Sequence, residues 1–72
     1  MEYLFHIHYL LRKGLGPDWV EKCEDIYLDD LPEETTPAEA ESIAMAEFHA
    51  NRRRQNIERY ENNYRVTEVV AE

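Results

Sequence analysis

Tyr3-Leu4-Phe5-His6-Ile7-His8-Tyr9-Leu10-Leu11 is the stretch whose reading settles the fold. Its odd positions, Tyr3, Phe5, Ile7, Tyr9 and Leu11, are aromatic or aliphatic and recur with period two, as in a half-buried strand. The even positions carry Leu4, His6, His8 and Leu10, so the second face is also rather apolar. A strand with two such faces belongs in the middle of a sheet.

Working outward, residues 13–18 read as a turn, with Gly14 and Gly16 supplying unusual backbone angles and Pro17 stopping the strand. From Trp19 to Leu31 two patterns compete. Asp18 and Glu21 are spaced as a capping box, and Trp19, Cys23, Ile26 and Tyr27 fall at helical intervals. A helix there would leave the first strand without a ladder for its backbone groups. The reading is therefore a second strand over about residues 22–28, antiparallel to the first.

Leu31-Pro32-Glu33-Glu34-Thr35 is a polar connection. Thr36-Pro37-Ala38-Glu39 then marks a helix start: Thr36 caps the free donors, Pro37 suits the first helical position, and Glu39 reaches back. The helix runs at least to Arg54, with an extension to Tyr60 left open. Ala40, Ile43, Ala44 and Phe48 form its apolar stripe, and the alanines allow it to lie close on a sheet. Beyond Ala50 the register drifts, and Ile57 and Tyr60 fall on another face. Glu61-Asn62-Asn63 reads as a stop, since asparagine accepts the left-handed cap conformation. Residues 64–70 are mostly β-formers with partial alternation, the last strand.

Strand, strand, helix, strand admits one economical topology, an α+β fold of ββαβ order. The helix crosses over, right-handed, to bring the third strand beside the first, giving an antiparallel sheet of order 2-1-3 with the helix on one face. Tyr3, Phe5, Ile7, Tyr9 and Leu11 then face the helix. Leu4, His6, His8 and Leu10 lie on the open face, which is apolar enough to suggest a partner or dimer interface.

Seventy-two residues suggest one domain over 1–72, burying roughly 60% of its unfolded surface. Cys23 is the lone cysteine, which fits a reducing compartment and excludes a disulfide framework or four-cysteine zinc site. It is expected to be buried. No run approaches the ~20 apolar residues of a membrane span. Glu2 ahead of the apolar stretch, with Arg12 and Lys13 behind it, argues against a signal peptide. A cytoplasmic protein is expected.

The formal net charge of -8 is unevenly placed: -9 between Asp18 and Glu41, +3 between Ala50 and Arg65, and -2 elsewhere. Such a field repels nucleic-acid phosphates and attracts basic partners. Glu24, Asp25, Asp29 and Asp30 are read as solvated carboxylates able to stand in for phosphates. Asn51-Arg52-Arg53-Arg54-Gln55 is the one basic island. Its arginines fan around a helix, which favours pairing with the chain's own acids and a helix C-terminus over a nucleic-acid patch.

His6-Ile7-His8 is the only metal-like spacing, two imidazoles on one face of a strand. No second His-x-His or Cys-x-x-Cys supplies further ligands, so the two histidines are assigned to the partner-binding face and no cofactor is expected. Ser42 has no Gly-x-Ser-x-Gly elbow around it, and Gly14 and Gly16 lack the Gly-Lys-Ser/Thr of a phosphate loop. The chain is read as no enzyme.

The run Thr36-Pro37-Ala38-Glu39-Ala40-Glu41-Ser42-Ile43-Ala44-Met45-Ala46-Glu47-Phe48, with two strands before it and Tyr64-Arg65-Val66-Thr67-Glu68-Val69 after, resembles small acidic phage and mobile-element proteins. Anti-CRISPR proteins and other inhibitors of bacterial defence are similar in size, acidity and element order. The resemblance covers the whole chain in pattern and carries over no individual residue. It implies a protein-binding inhibitor, acting in a host cytoplasm and occupying a nucleic-acid groove of a basic partner. The alternative is a small homodimeric structural or accessory protein that uses the open sheet face. Elemental analysis of untagged protein is expected to show no stoichiometric zinc or nickel. One tightly held ion, lost on joint His6→Ala and His8→Ala substitution, would reverse that reading.

Overall fold

The computed structural model describes residues 1–13, 16–55 and 62–72. Strand β1 spans Tyr3–Lys13, β2 Val20–Leu28, helix α1 Pro37–Gln55 and β3 Asn62–Ala71. The sheet order is β2-β1-β3, with β1 antiparallel to both neighbours. This is the α+β arrangement that the alternation of β1 and the need to pair its backbone demand. Both β1 and β2 are longer than their sequence reading suggests, because ladder pairing carries on through Arg12–Lys13 and Val20–Glu21. The glycine turn at Gly14 and Leu15, the helix extension through Ile57 to Tyr60, and Glu61 of the expected stop lie outside the described residues.

The odd face of β1 builds the core. Phe5, Ile7 and Tyr9 are buried with Ile26 and Leu28 of β2 and Ala40, Ala44 and Phe48 of α1, while Tyr3 and Leu11 pack against the edge of this cluster. Phe48 is fully buried and meets Tyr9 edge-on, ring centroids 5.0 Å apart, and Tyr64 of β3 at 5.8 Å. Such aromatic geometry adds to the area buried.

The helix begins as its sequence requires. Thr36 Oγ1 accepts from the Glu39 amide at 3.1 Å, and Glu39 Oε1 accepts from the Thr36 amide at 3.0 Å. These two bonds satisfy amides that a helix start otherwise leaves free. The Thr36 backbone donor, then its hydroxyl, holds the Glu39 carboxyl below its ordinary range.

The inward stripe of α1 differs from the expected one. It runs Ala40, Ala44, Phe48, Arg52, whereas Ile43 is 44% exposed. At about 100° per residue, Ile43 lies roughly 120° from the middle of an i, i+4 row. Met45 instead packs against the core edge.

Strand β3 explains its own imperfect alternation. Tyr64, Val66, Val69 and Ala71 pair with helix-side residues of β1, whereas Asn63, Arg65, Glu68 and Val70 pair with open-face ones, and the register shifts between His8 and Tyr9. Thr67 is the additional residue of this β-bulge, and its hydroxyl donates to the His8 carbonyl at 3.2 Å. An inserted residue restores the inward phase for Val69. Asn62 and Asn63, expected to stop the helix, are ladder residues of β3.

Two substitutions test this packing by chemical denaturation. Phe48→Ala is expected to cost roughly 3–5 kcal/mol, enough to unfold much of so small a chain. Thr36→Ala is expected to cost about 1 kcal/mol by removing the cap. An unchanged midpoint in either would be incompatible with the contacts above.

Candidate partner-binding surface

Pairing with β1 assigns each β2 side chain to a face. Glu24, Ile26 and Leu28 lie opposite Ile7, Phe5 and Tyr3, on the helix side; Glu21, Cys23, Asp25 and Tyr27 lie opposite Leu10, His8, His6 and Leu4, on the open side. This parity divides the predicted site residues into two groups that do different things.

Glu24 is not the solvated carboxylate the sequence suggests. Its Oε1 accepts from Arg52 Nη2 at 2.5 Å and its Oε2 from Asn51 Nδ2 at 2.7 Å, with 18% of the side chain exposed. Arg52 is more deeply buried, at 7%, and its Nη1 donates to the Tyr9 hydroxyl at 2.6 Å. Its guanidinium also lies over the Tyr9 and Phe48 rings, 5.0 and 5.4 Å from their centroids. Glu24 therefore serves the fold: it neutralises a cation that the i, i+4 row of α1 carries into the sheet. Desolvation comes first in holding the Tyr9 phenol above its ordinary pKa, against the opposing Arg52 charge.

The open face has a different centre. His6 Nδ1 is 2.6 Å from Asp25 Oδ1, and its Nε2 is 2.5 Å from Glu72 Oε2. The imidazole of β1 thus joins a carboxylate of β2 to one just past the end of β3. Its hydrogen bonds to Asp25 and then to Glu72 raise the His6 pKa above 6.5. The same bond to His6 lowers that of Asp25. The raised His6 value contributes stability that is complete below the unfolded-state value and is lost as pH rises through the folded one. The lowered Asp25 value acts at the other limit, its contribution lost as pH falls through the depressed value.

His8 sits one pair further along β1, between Cys23 and Glu68. Cys23 is exposed rather than buried, because its position on β2 falls on the uncovered face. Desolvation of the thiol and the charge of Asp25 raise its pKa, which favours the protonated thiol over the reactive thiolate. Tyr27 donates to Glu2 Oε1 at 2.5 Å and remains 55% exposed. At the far end of the same face, Trp19 lies under two guanidinium groups, Arg12 at 4.7 Å and Arg65 at 5.5 Å from its ring. A shallow depression of about 370 Å³ runs between these ends, along His8, Leu10, Glu21, Thr67 and Glu68.

Asp29 and Asp30 follow β2 and are exposed, as are Glu33 and Glu34. Asp30 has φ of 57°, a left-handed conformation that Asp tolerates better than most residues. Leu31 then exchanges backbone hydrogen bonds with Met1: the Leu31 amide donates to the Met1 carbonyl at 3.2 Å, and the Met1 ammonium donates to the Leu31 carbonyl at 3.2 Å. This places the β2–α1 connection beside the start of β1. The end of β3 lies at the same place, since the Glu72 amide donates to Leu4 O at 2.9 Å.

One end of the molecule therefore gathers Glu2, Asp29, Asp30, Glu33, Glu34 and Glu72, with Asp25 nearby. Four of the five described arginines are held elsewhere, Arg52 by Glu24, Arg54 by Asn51, and Arg12 and Arg65 at Trp19, and Arg53 is exposed in the last turn of α1. Of the residues predicted to bind a partner, Asp25, Asp29, Asp30 and His6 share this end. His8 lies further along the open face, and Glu24 is turned to the other side.

Among the described residues no group of three or more His, Cys, Asp or Glu side chains is placed to hold a metal ion, and no helix is long and apolar enough to cross a membrane. No family, curated protein or solved structure matches the chain.

Glu24→Ala is expected to destabilise the fold by roughly 3–5 kcal/mol, because it strands the buried Arg52 charge. Adding Arg52→Met should return a large part of that loss. Denaturation of the single and double variants measures both, and additive losses would show that the two side chains do not act as a pair.

Proposed function

We propose that this chain is a non-enzymatic binding module whose acidic end engages a basic protein. One observation carries the reading: exposed Asp29, Asp30, Glu33 and Glu34 converge with Glu2 and Glu72 at the end where β2 leaves the sheet, while Arg12, Arg52, Arg54 and Arg65 are engaged elsewhere. A field of one sign presented at one end steers a partner of the opposite sign. The exposed Cys23 thiol with its raised pKa and the exposed Ser42 on α1 support a reading without covalent chemistry.

The finer form of the proposal is an inhibitor encoded by a phage or mobile element. Its carboxylates Asp25, Asp29 and Asp30 take the place of phosphates in the nucleic-acid groove of a host defence protein. What supports it is the chain's size, its charge of -8 and the element order it shares in pattern with such inhibitors. The second reading, a homodimer formed through the sheet face that α1 leaves bare, draws on Tyr27, 55% exposed, and Val70, 38% exposed, on that face.

A deca-arginine peptide tests the first reading. Binding should weaken steeply with salt, and replacing Asp25, Asp29 and Asp30 by Asn should slow association more than it speeds dissociation. Salt-independent binding, unaltered in the triple variant, would defeat the reading. Sedimentation equilibrium addresses the second: a concentration-dependent dimer, abolished by Tyr27→Asp, would favour the sheet face over the acidic end.

A further inference from the structure

We infer that His6 is a proton-operated clasp that fastens the end of β3 to the sheet when its ring is charged and lets Glu72 go when it is neutral. The inference starts from donor counting. An imidazolium has two N–H groups and can donate to two carboxylates at once; a neutral imidazole has one N–H and one lone pair. His6 faces Asp25 Oδ1 at 2.6 Å and Glu72 Oε2 at 2.5 Å from opposite ring nitrogens. Both contacts are satisfied together only by the charged ring. Once the proton leaves, one nitrogen presents a lone pair to a carboxylate, and that contact becomes repulsive.

The fold decides which contact is lost. Asp25 lies within the β1–β2 ladder, directly opposite His6, and the residues before and after it, Glu24 and Ile26, are paired with β1 as well. Glu72 lies one residue past β3, its side chain is 66% exposed, and its amide bond to Leu4 O is what continues the pairing. The retained proton therefore sits on Nδ1, toward Asp25, and Glu72 is released.

The charged groups around His6 act in the same direction. Asp25 comes from β2, with Cys23 3.8 Å from the same Asp25 oxygen; Glu72 and Glu68 come from the β3 side; His8 is the neighbour on β1. Apart from His8, these groups carry negative charge or none, so the surroundings favour the charged ring, in keeping with its raised pKa.

Release has a local consequence. Val70 lies opposite His6 on the open face, so loosening the end of β3 uncovers the sheet there. It also frees the Glu72 carboxylate, and the face loses one positive charge. If the functional reading above holds, attraction for a basic partner strengthens as pH rises through the His6 titration.

Nuclear magnetic resonance on the free protein tests the clasp without any partner. The His6 ring should titrate with a midpoint above 6.5. The Glu72 side-chain carboxyl and the Val70 and Ala71 amides should shift with that same midpoint, and protection of the Glu72 amide against exchange should fall above it. In His6→Gln the step at Glu72 should vanish. In Glu72→Gln, a change confined to an exposed side chain, the His6 midpoint should move down.

A ring that titrates at 6.5 or below, a β3 end that ignores the ring, or a Glu72 step that persists in His6→Gln would each overturn the clasp. Deca-arginine binding is a separate readout. Its absence alongside a working clasp would sink the functional proposal and leave the clasp standing.

Discussion

A central strand has donors and acceptors along both edges, and each buried one must find a partner. Strand β1 meets that requirement with β2 on one side and β3 on the other, and the other elements are arranged around this double pairing. Because its odd face carries the aromatic and branched residues, α1 must lie on that side. Its even face, Leu4, His6, His8 and Leu10, is left half-buried on the side that α1 does not cover. The small alanines at Ala40 and Ala44, both fully buried, let α1 approach, and Phe48 fills the space between Tyr9 and Tyr64.

The same pairing governs the electrostatics. Neighbouring residues of an antiparallel pair share a face, so the parity of β1 decides the fate of each acid on β2. Glu24 is drawn inside to meet Arg52, and Asp25, one residue later, is turned out to meet His6. Two adjacent carboxylates thus have unrelated roles. The first is part of a mostly desolvated pair, where leaving either charge alone is costly. The second lies on an exposed surface, where its pairing responds to pH and salt. Asp29, Asp30, Glu33 and Glu34 are exposed and hold no hydrogen bond or ion pair among the described contacts, which is why the proposed function turns on them.

Much of this was legible in the sequence for physical reasons. Period two in Tyr3–Leu11 and the Thr36–Glu39 box are local signals, complete within a few residues, and they identified β1 and the start of α1. The choice of a strand over a helix for Trp19–Leu31 was a global argument from backbone pairing, and β2 bears it out. Other features were hidden because they depend on which residues meet across the sheet. The helical spacing of Ile43 with Ala40 and Ala44 looked like core, yet the row that touches the sheet runs through Arg52, whose pairing with one of the chain's own acids takes place inside the fold, with Glu24 and Tyr9. The uneven alternation of Tyr64–Ala71 needed the bulge at Thr67 to be understood.

By itself the sequence determined the element order, the inward face of β1, the capped start of α1 and the excess of negative charge, since each is carried by composition or by neighbours along the chain. Only the tertiary structure decided where the charges act. His6 and Glu72 are 66 positions apart, and Glu24 and Arg52 are 28 apart. Such pairs leave no periodic trace in a sequence; they come together because a residue-by-residue register fixes which side chains share a face.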